Sequence, residues 1–405
     1  MTRACGNPAD LSWVIDEAIP ITASLKQATG NALMVSARDI TPAIIEKADG
    51  LLVRSVTQVD EALLAGSAVR FVGTATAGID HLDAAALARL GVQWASAPGS
   101  NATAVVEYVL SAIALSGHFQ SILRGTPVGI VGLGAVGGQL AQRLVSLGCQ
   151  VVGYDPLVTH WPPGVLRGDL EAVLSQAVVS LHASLHDQPS FASQGLMGVA
   201  EVESMIVASA TRSQPGLFIN AGRGGLVTHQ ALECLLASAW TTVLDTWPTE
   251  PFLDGSLLAQ CDWVSPHIAG HSKAAKRRGS DMLASAVAQW GDQIGLARPV
   301  IGAAAITQEP MPPTLTSLIC EAGEAPGEVM ERFLHQSSVL AREDARLRQG
   351  ATPHVTTELF DRLRQSYEQP AEWTGAQLQV SAGSTAIVAA LKKLGIAVID
   401  WRDAR

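Results

Sequence analysis

Short continuous apolar runs recur along the first hundred residues, separated by stretches with helical periodicity. Leu11 to Ile15, Ala32 to Val35, Gly50 to Val53, Val69 to Val72 and Val92 to Trp94 read as short buried strands. Helical patterns such as Ala84 to Leu90 lie between them. A long apolar helix is expected over Glu107 to Leu115. The alternation then resumes, with strands at Val128 to Val131, Gln150 to Tyr154, Val178 to Leu181, Leu217 to Ile219, Thr242 to Leu244 and Trp263 to Ser265. Strands alternating with helices predict an α/β class with parallel sheets.

One stretch carries more information than its period. The strand Val128 to Val131 runs into Gly132-Leu-Gly134-Ala-Val-Gly137. Val136, Leu140, Leu144 and Leu147 then repeat at steps of four, four and three, which is one face of a helix, and Gly148 stops it. In this context Gly132 permits a tight turn, Gly134 lets a pyrophosphate approach the backbone, and Gly137 allows close helix–strand packing. The helix N-terminus offers free N–H groups and a positive dipole end. Asp155 ends the next strand, 18 residues after Gly137, where a carboxylate suits ribose hydroxyls. The expected ligand is a dinucleotide.

Later strands deliver polar groups to the same edge. Val178 to Leu181 ends in His182, Leu217 to Ile219 in Asn220-Ala221-Gly222-Arg223, Thr242 to Leu244 in Asp245, and Trp263 to Ser265 in Pro266-His267. Ligands gather at the carboxyl edge of such sheets. Arg223 could grip a carboxylate with two parallel hydrogen bonds. His267 could move a hydroxyl proton near neutral pH, with Glu250 fixing its tautomer. A carboxylate clamp, a base and its orienter are what oxidation of a 2-hydroxy acid requires beside a nicotinamide. In the first domain, Arg54-Ser55-Val56-Thr57 and Thr74-Ala75-Thr76 end strands in the same way, although helix capping by Ser and Thr would give the same pattern.

Composition narrows the classes. The chain has 405 residues, enough for two or three domains, and 48% are hydrophobic. Its formal net charge of −10 argues against nucleic-acid or anionic membrane partners. Five scattered cysteines form neither a disulfide framework nor a metal-ligand spacing, so no metal is expected and a reducing cytoplasm is. No signal peptide is read, and the longest apolar stretch, broken by Glu107 and Ser111, is too short to span a bilayer. Proline-rich Gln308 to Pro313 marks a linker before about ninety residues that suit a small α+β domain carrying Arg342, Arg346 and Arg348.

The motifs GLGAVG, INAGRGGLV, VLDTWPTEP and SPHIAG resemble those of the D-isomer-specific 2-hydroxyacid dehydrogenases. A narrower branch of that family, acting on a phosphorylated hydroxy acid, is matched by LLVRSVTQVDEALL, RFVGTATAGIDHLD, APGSNATAVVEYV, REDARLR and FDRLRQSYEQPAEW. The resemblance implies NAD as cofactor and an enzyme with a Rossmann-type NAD-binding domain over residues 99–267. It implies a flavodoxin-like, discontinuous substrate domain over 1–98 and 268–305, and a C-terminal homodimerisation domain over 314–405. Arg223, Glu250 and His267 would form the catalytic set. Asp155, Ala221, Gly222, Arg223, Asp245 and Gly270 would surround NAD together with Gly132, Gly134 and Gly137. Ser55 and Thr76 would touch substrate, with Arg54 first and the tail arginines second as readers of its phosphate. Ala183 stands where the family usually has Thr, Gly222 replaces Cys or Ser, Thr249 precedes Glu250 where Gly is usual, and His271 sits where a substrate-contacting Tyr is frequent. The alternatives are another dehydrogenase of the family, or an NAD-sensing corepressor without turnover.

Overall fold

The structure is a computed structural model that describes residues 7–186, 190–210, 212, 214–296, 317–321, 323–351, 353–381 and 384–400. The expected linker at 308–313 lies outside these residues. The chain divides into two compact units, 1–101 with 272–311, and 102–271 with 312–405.

The first unit holds five parallel strands: β1 (Trp13–Asp16), β2 (Leu33–Val35), β3 (Gly50–Val53), β4 (Phe71–Thr74) and β5 (Gln93–Ala95). Their spatial order is β2-β1-β3-β4-β5, with Ile15 opposite Leu52 and Val53 opposite Thr74. This is the flavodoxin-like doubly wound order, whose direction of progression reverses between β1 and β3. One sheet face packs Val14, Val35, Leu51 and Val72; the other packs Trp13, Phe71 and Trp290, the last from the helix Lys273–Gln293. Trp13 stands edge-on to both other rings, at 6.1 and 5.9 Å between centroids. Strand β4 begins two residues later than its apolar run suggests. Its last residue, Thr74, is fully buried with its hydroxyl satisfied at 2.8 Å by the His81 ring, so a polar side chain can occupy a core strand position.

The second unit holds β6 (Val128–Val131), β7 (Val151–Tyr154), β8 (Leu166–Arg167), β9 (Val178–Leu181), β10 (Leu217–Asn220), β11 (Thr241–Leu244) and β12 (Trp263–Val264), all parallel. Their order, β12-β11-β10-β9-β6-β7-β8, is the Rossmann order with its reversal between β6 and β9. A third parallel sheet orders β13 (Ser317–Ile319), β14 (Gln377–Ser381) and β15 (Ala397–Asp400). The described C-terminal residues share a core with the seven-stranded sheet's helices. Phe333, Leu334, Trp373 and Leu391 belong to one cluster with Val109, Ile113, Leu140 and Val128.

The helix Ala102–Leu115 runs through that shared core and begins five residues before its expected start. It is apolar nearly all round because it is buried nearly all round. The Glu107 carboxylate accepts N–H bonds from Trp373 at 3.0 Å and Thr374 at 2.8 Å, stitching the C-terminal segment to the helix. Burial nevertheless pushes its pKa up to about 8. No helix among the described residues is long and apolar enough to cross a membrane.

Candidate active site

The second sheet's reversal point is built from backbone. Gly132 has φ 86°, and a Cβ there would press on the Ala183 N–H. A Cβ on Gly137 would collide with the Gly132 carbonyl oxygen, so the loop can close on its helix only without one. Gly134 differs: a Cβ there would meet no heavy atom within 4 Å. Protein packing therefore requires two of the three glycines, and the third is a glycine for another reason. It is the N-cap of the helix Ala135–Ser146, where no side chain caps the first N–H groups. These features fit a dinucleotide.

Asp155, expected at the adenosine ribose, has a structural task. Its Oδ2 accepts the Leu133 N–H at 2.7 Å, inside the Gly-rich loop. Its Oδ1 accepts from Leu157 and Val158 at 2.9 and 3.0 Å. His182, at the end of β9, bonds Ser180 Oγ at 2.8 Å through Nε2, and burial pushes its pKa down to about 4. The ring beneath the loop is therefore neutral at pH 7, and the next residue, Ala183, offers no hydroxyl.

Beyond β10 the chain turns under the control of Asn220. Its Oδ1 accepts the Gly222 N–H at 3.2 Å and its Nδ2 donates to the Arg223 carbonyl at 3.1 Å. Gly222 is glycine because a Cβ would sit 2.9 Å from the Leu181 carbonyl oxygen. Arg223 follows in extended conformation, half-buried, with Nη1 donating to the Gly222 carbonyl at 2.9 Å. Ala221 is buried beside it.

Glu250 and His267 meet as expected, with Oε1 and Nδ1 at 2.8 Å. The Trp247 N–H donates to Glu250 Oε2 at 3.2 Å, and the Trp247 indole donates to the Ser265 carbonyl at 3.2 Å. Base, orienter and both backbone supports thus close into one ring. Burial acts to raise the Glu250 pKa, but the facing His267 ring and the Trp247 N–H outweigh it and hold it below the usual carboxylate range. His267 lies at φ 56°, a left-handed conformation that costs of order 1–3 kcal/mol for a side chain of this kind.

Asp245, expected near NAD, is fully buried and spends both oxygens on the protein. Oδ1 accepts from Ser265 Oγ at 2.6 Å and Ile268 N at 2.8 Å; Oδ2 accepts from Ala269 N at 3.0 Å. Gly270 follows in a turn closed by the His271 N–H on the Ile268 carbonyl at 2.8 Å. The His271 ring lies 6.3 Å, centroid to centroid, from buried Tyr367 of the C-terminal segment. Trp247, Ser265 and Tyr367 carry no role in the sequence reading, although each sits inside a quoted motif.

In the first unit, Arg54 grips the fully buried Asp16 at two points, Nε to Oδ2 at 2.8 Å and Nη2 to Oδ1 at 3.3 Å. The pair lies at that sheet's own reversal point. Ser55 is exposed, and the buried Thr57 hydroxyl beside it has no hydrogen-bond partner. Thr76 donates to the Gly78 carbonyl at 2.9 Å and lies 2.8 Å from the Thr74 hydroxyl. The tail arginines are engaged in structural work. Arg342 and Arg346 hold the fully buried Glu343 at 2.8 and 2.6 Å. Arg348 pairs with Asp344 at 2.9 Å and caps the helix Gly255–Gln260 by donating to the Leu258 and Cys261 carbonyls at 2.9 and 2.8 Å. Among the described residues no group of His, Cys, Asp and Glu could hold a metal ion.

Comparison with known proteins follows the same lines. Residues 113–269 match the D-isomer specific 2-hydroxyacid dehydrogenase NAD binding domain. Solved structures with this fold include an NAD-bound 3-phosphoglycerate dehydrogenase of Entamoeba histolytica, 18% identical with a TM-score of 0.58, covering 72% of this chain and 99% of its own. A glyoxylate reductase from Paecilomyes thermophila is also 18% identical, with a TM-score of 0.56 and coverage of 72% and 98%. The erythronate-4-phosphate dehydrogenase of Klebsiella pneumoniae is 37% identical over 393 residues, 94% of this chain and 97% of that protein. That of Cellvibrio japonicus is 38% identical over 383 residues, 92% and 96%. With whole-length similarity at that level, and with the Gly-rich loop and the Glu250–His267 pair in place, the chain belongs to the erythronate-4-phosphate dehydrogenases, within the NAD-binding D-2-hydroxyacid dehydrogenase family.

Proposed function

We propose that this protein oxidises 4-phospho-D-erythronate at C2 to 2-oxo-3-hydroxy-4-phosphobutanoate, as an NAD-dependent step of pyridoxal 5′-phosphate formation in the cytoplasm. The observation that carries the reading is the 2.8 Å bond from Glu250 Oε1 to His267 Nδ1. That bond supports a proton on Nδ1, which would leave Nε2 to take the substrate hydroxyl proton. As the imidazolium forms, the ionised Glu250 stabilises it. Arg223, set at the end of β10 by the Asn220 clasp, holds the substrate carboxylate and polarises the developing carbonyl oxygen. Bound NAD would supply the hydride acceptor, with its pyrophosphate over Gly134 and its adenosine ribose at Asp155. Ser55, Thr76 and His271 are the proposed substrate contacts, Arg54 the proposed phosphate reader, and the functional unit a homodimer.

The test is NADH formation by the purified protein with 4-phospho-D-erythronate, D-erythronate, 3-phospho-D-glycerate and glycolate. The expected outcome is highest kcat/KM for 4-phospho-D-erythronate. Equal use of erythronate and its phosphate would sink the assignment. Tight NAD binding with no turnover of any of the four would favour a sensing role for the same site.

A further inference from the structure

Behind His267 lies a buried chain of hydroxyl groups that the acid–base set does not itself contain. Tyr108, from the helix Ala102–Leu115, places its hydroxyl 2.7 Å from Ser265 Oγ, and Ser265 Oγ lies 2.6 Å from Asp245 Oδ1. The direction of these bonds follows from the donor inventory. Asp245 already accepts the N–H groups of Ile268 and Ala269, so the only proton on Ser265 Oγ goes to the carboxylate. Ser265 can then only accept from Tyr108. Three donors converge on one carboxylate that burial works to neutralise. That carboxylate in turn grips the two N–H groups immediately after His267.

His267 needs such a grip. Its backbone sits at φ 56°, where a non-glycine residue persists only if its surroundings over-determine it. The Trp247 indole fixes the carbonyl of Ser265 on one side, and Asp245 fixes Ile268 and Ala269 on the other. We propose that Tyr108 and Ser265 are positioning residues for the acid–base step, holding the His267 backbone in its left-handed conformation through Asp245. The proposal rests on the reading of His267 as the group that takes the hydroxyl proton. Neither hydroxyl touches the reacting atoms, so both act on kcat by orientation.

The experiment compares Ser265→Ala, Ser265→Thr, Tyr108→Phe, the Ser265→Ala/Tyr108→Phe double variant and His267→Gln. All are run with NAD and whichever acid of the panel the wild type oxidises fastest. Ser265→Ala is expected to lose roughly ten- to a hundredfold in kcat, the scale of a small misplacement of a catalytic group, with KM for both substrates within about threefold. Ser265→Thr keeps the hydroxyl and is expected to restore most of the loss. Tyr108→Phe is expected to lose about three- to tenfold, and the double variant to match Ser265→Ala, because without Oγ the phenol has nothing to orient. Wild-type kcat in Ser265→Ala, losses that multiply in the double variant, or a kcat loss tracking a fall in Tm and a rise in both KM values would each overturn the proposal. Full activity in His267→Gln would remove the acid–base reading, and the proposal with it. An inactive His267→Gln beside a normal Ser265→Ala would remove the proposal alone.

Discussion

At the reversal point of the first sheet, between β1 and β3, a fully buried aspartate and an arginine meet in a two-point ion pair. At the reversal point of the second, between β6 and β9, glycines and backbone N–H groups take the same topological place. Both sheets are parallel and doubly wound, so both open a crevice at the carboxyl ends of their strands. What differs is the furniture. Removing side chains makes room for a long ligand at a helix N-terminus; the first reversal point instead holds a planar guanidinium clamped to a buried carboxylate. The topology is shared, and the chemistry comes from a handful of residues at the strand ends.

The comparison breaks most sharply at the glycines. Gly137→Ala drives a methyl into the Gly132 carbonyl, so both the Tm and NAD binding should fall. Gly134→Ala meets nothing in the protein, so its Tm should stay at the wild-type value. Its NAD affinity should nevertheless weaken on the order of tenfold to a hundredfold if, as proposed, the pyrophosphate passes over Gly134. Isothermal titration with NAD beside a melting curve separates the two. An unaltered affinity in Gly134→Ala would show that this glycine does not face the ligand.

The first crevice is tested by Arg54→Ala. Losing one charge-assisted hydrogen bond costs about 1.5–3 kcal/mol, so the preference for phosphorylated over unphosphorylated erythronate should shrink roughly ten- to a hundredfold. The variant also strands Asp16, buried, without its partner. Because the Arg54 side chain keeps 28% exposure, that should cost about 1–3 kcal/mol of stability, less than breaking a fully buried pair. Arg348→Ala is the control. It removes a helix cap and an ion pair, and should lower the Tm while leaving substrate preference alone. A selective wild type unaffected by Arg54→Ala would move the phosphate site elsewhere.

The two crevices were not equally legible in the sequence. The second announces itself, because three glycines, a helix stripe and an acid in fixed order have few other physical explanations. The Glu250–His267 pair was likewise readable from two strand-end motifs, and it forms. What could not be read was how residues are committed once the chain folds. Arg342, Arg346 and Arg348 looked like spare cations; they are held by Glu343, by Asp344 and by helix carbonyls from distant sequence. Asp16 directly follows the apolar run Leu11 to Ile15, and its partner is 38 residues away. Asp245 is presented at the right edge, but its oxygens are taken by Ser265, Ile268 and Ala269, a network invisible to periodicity. Leu166–Arg167 makes a two-residue edge strand, too short and too exposed to give an apolar signal.

Asp155 joins the two kinds of crevice, being a charged side chain in the backbone-built one. Asp155→Ser should narrow the preference for NAD over NADP by about tenfold, since a carboxylate repels a 2′-phosphate and a hydroxyl does not. It should also lower the Tm, because Asp155 accepts the N–H groups of Leu133, Leu157 and Val158. Steady-state rates with both cofactors check the first effect. A wild type that uses both equally would remove Asp155 from the ribose.

The smallest effect concerns how the two units accommodate a buried carboxylate. Asp16 has a guanidinium; Glu107 has the N–H groups of Trp373 and Thr374, with Glu372 opposing and half-buried Arg143 attracting its charge. That is not enough to offset desolvation, and its pKa rises from 4.5 to about 8. Between those values the folded state keeps a proton that the unfolded state has released, so unfolding releases it and stability falls as pH rises. The contribution is whole below pH 4.5 and is lost as pH climbs through about 8. Glu107→Gln cannot titrate. Whatever its absolute stability, its Tm should fall less than that of the wild type across this window. The two curves should diverge by at most about 2–4 °C per pH unit, the limit set by one proton. Melting both proteins from pH 5 to 9 in one buffer series cancels every other titrating group, and parallel curves would mean that Glu107 is ionised throughout and that its two N–H bonds suffice.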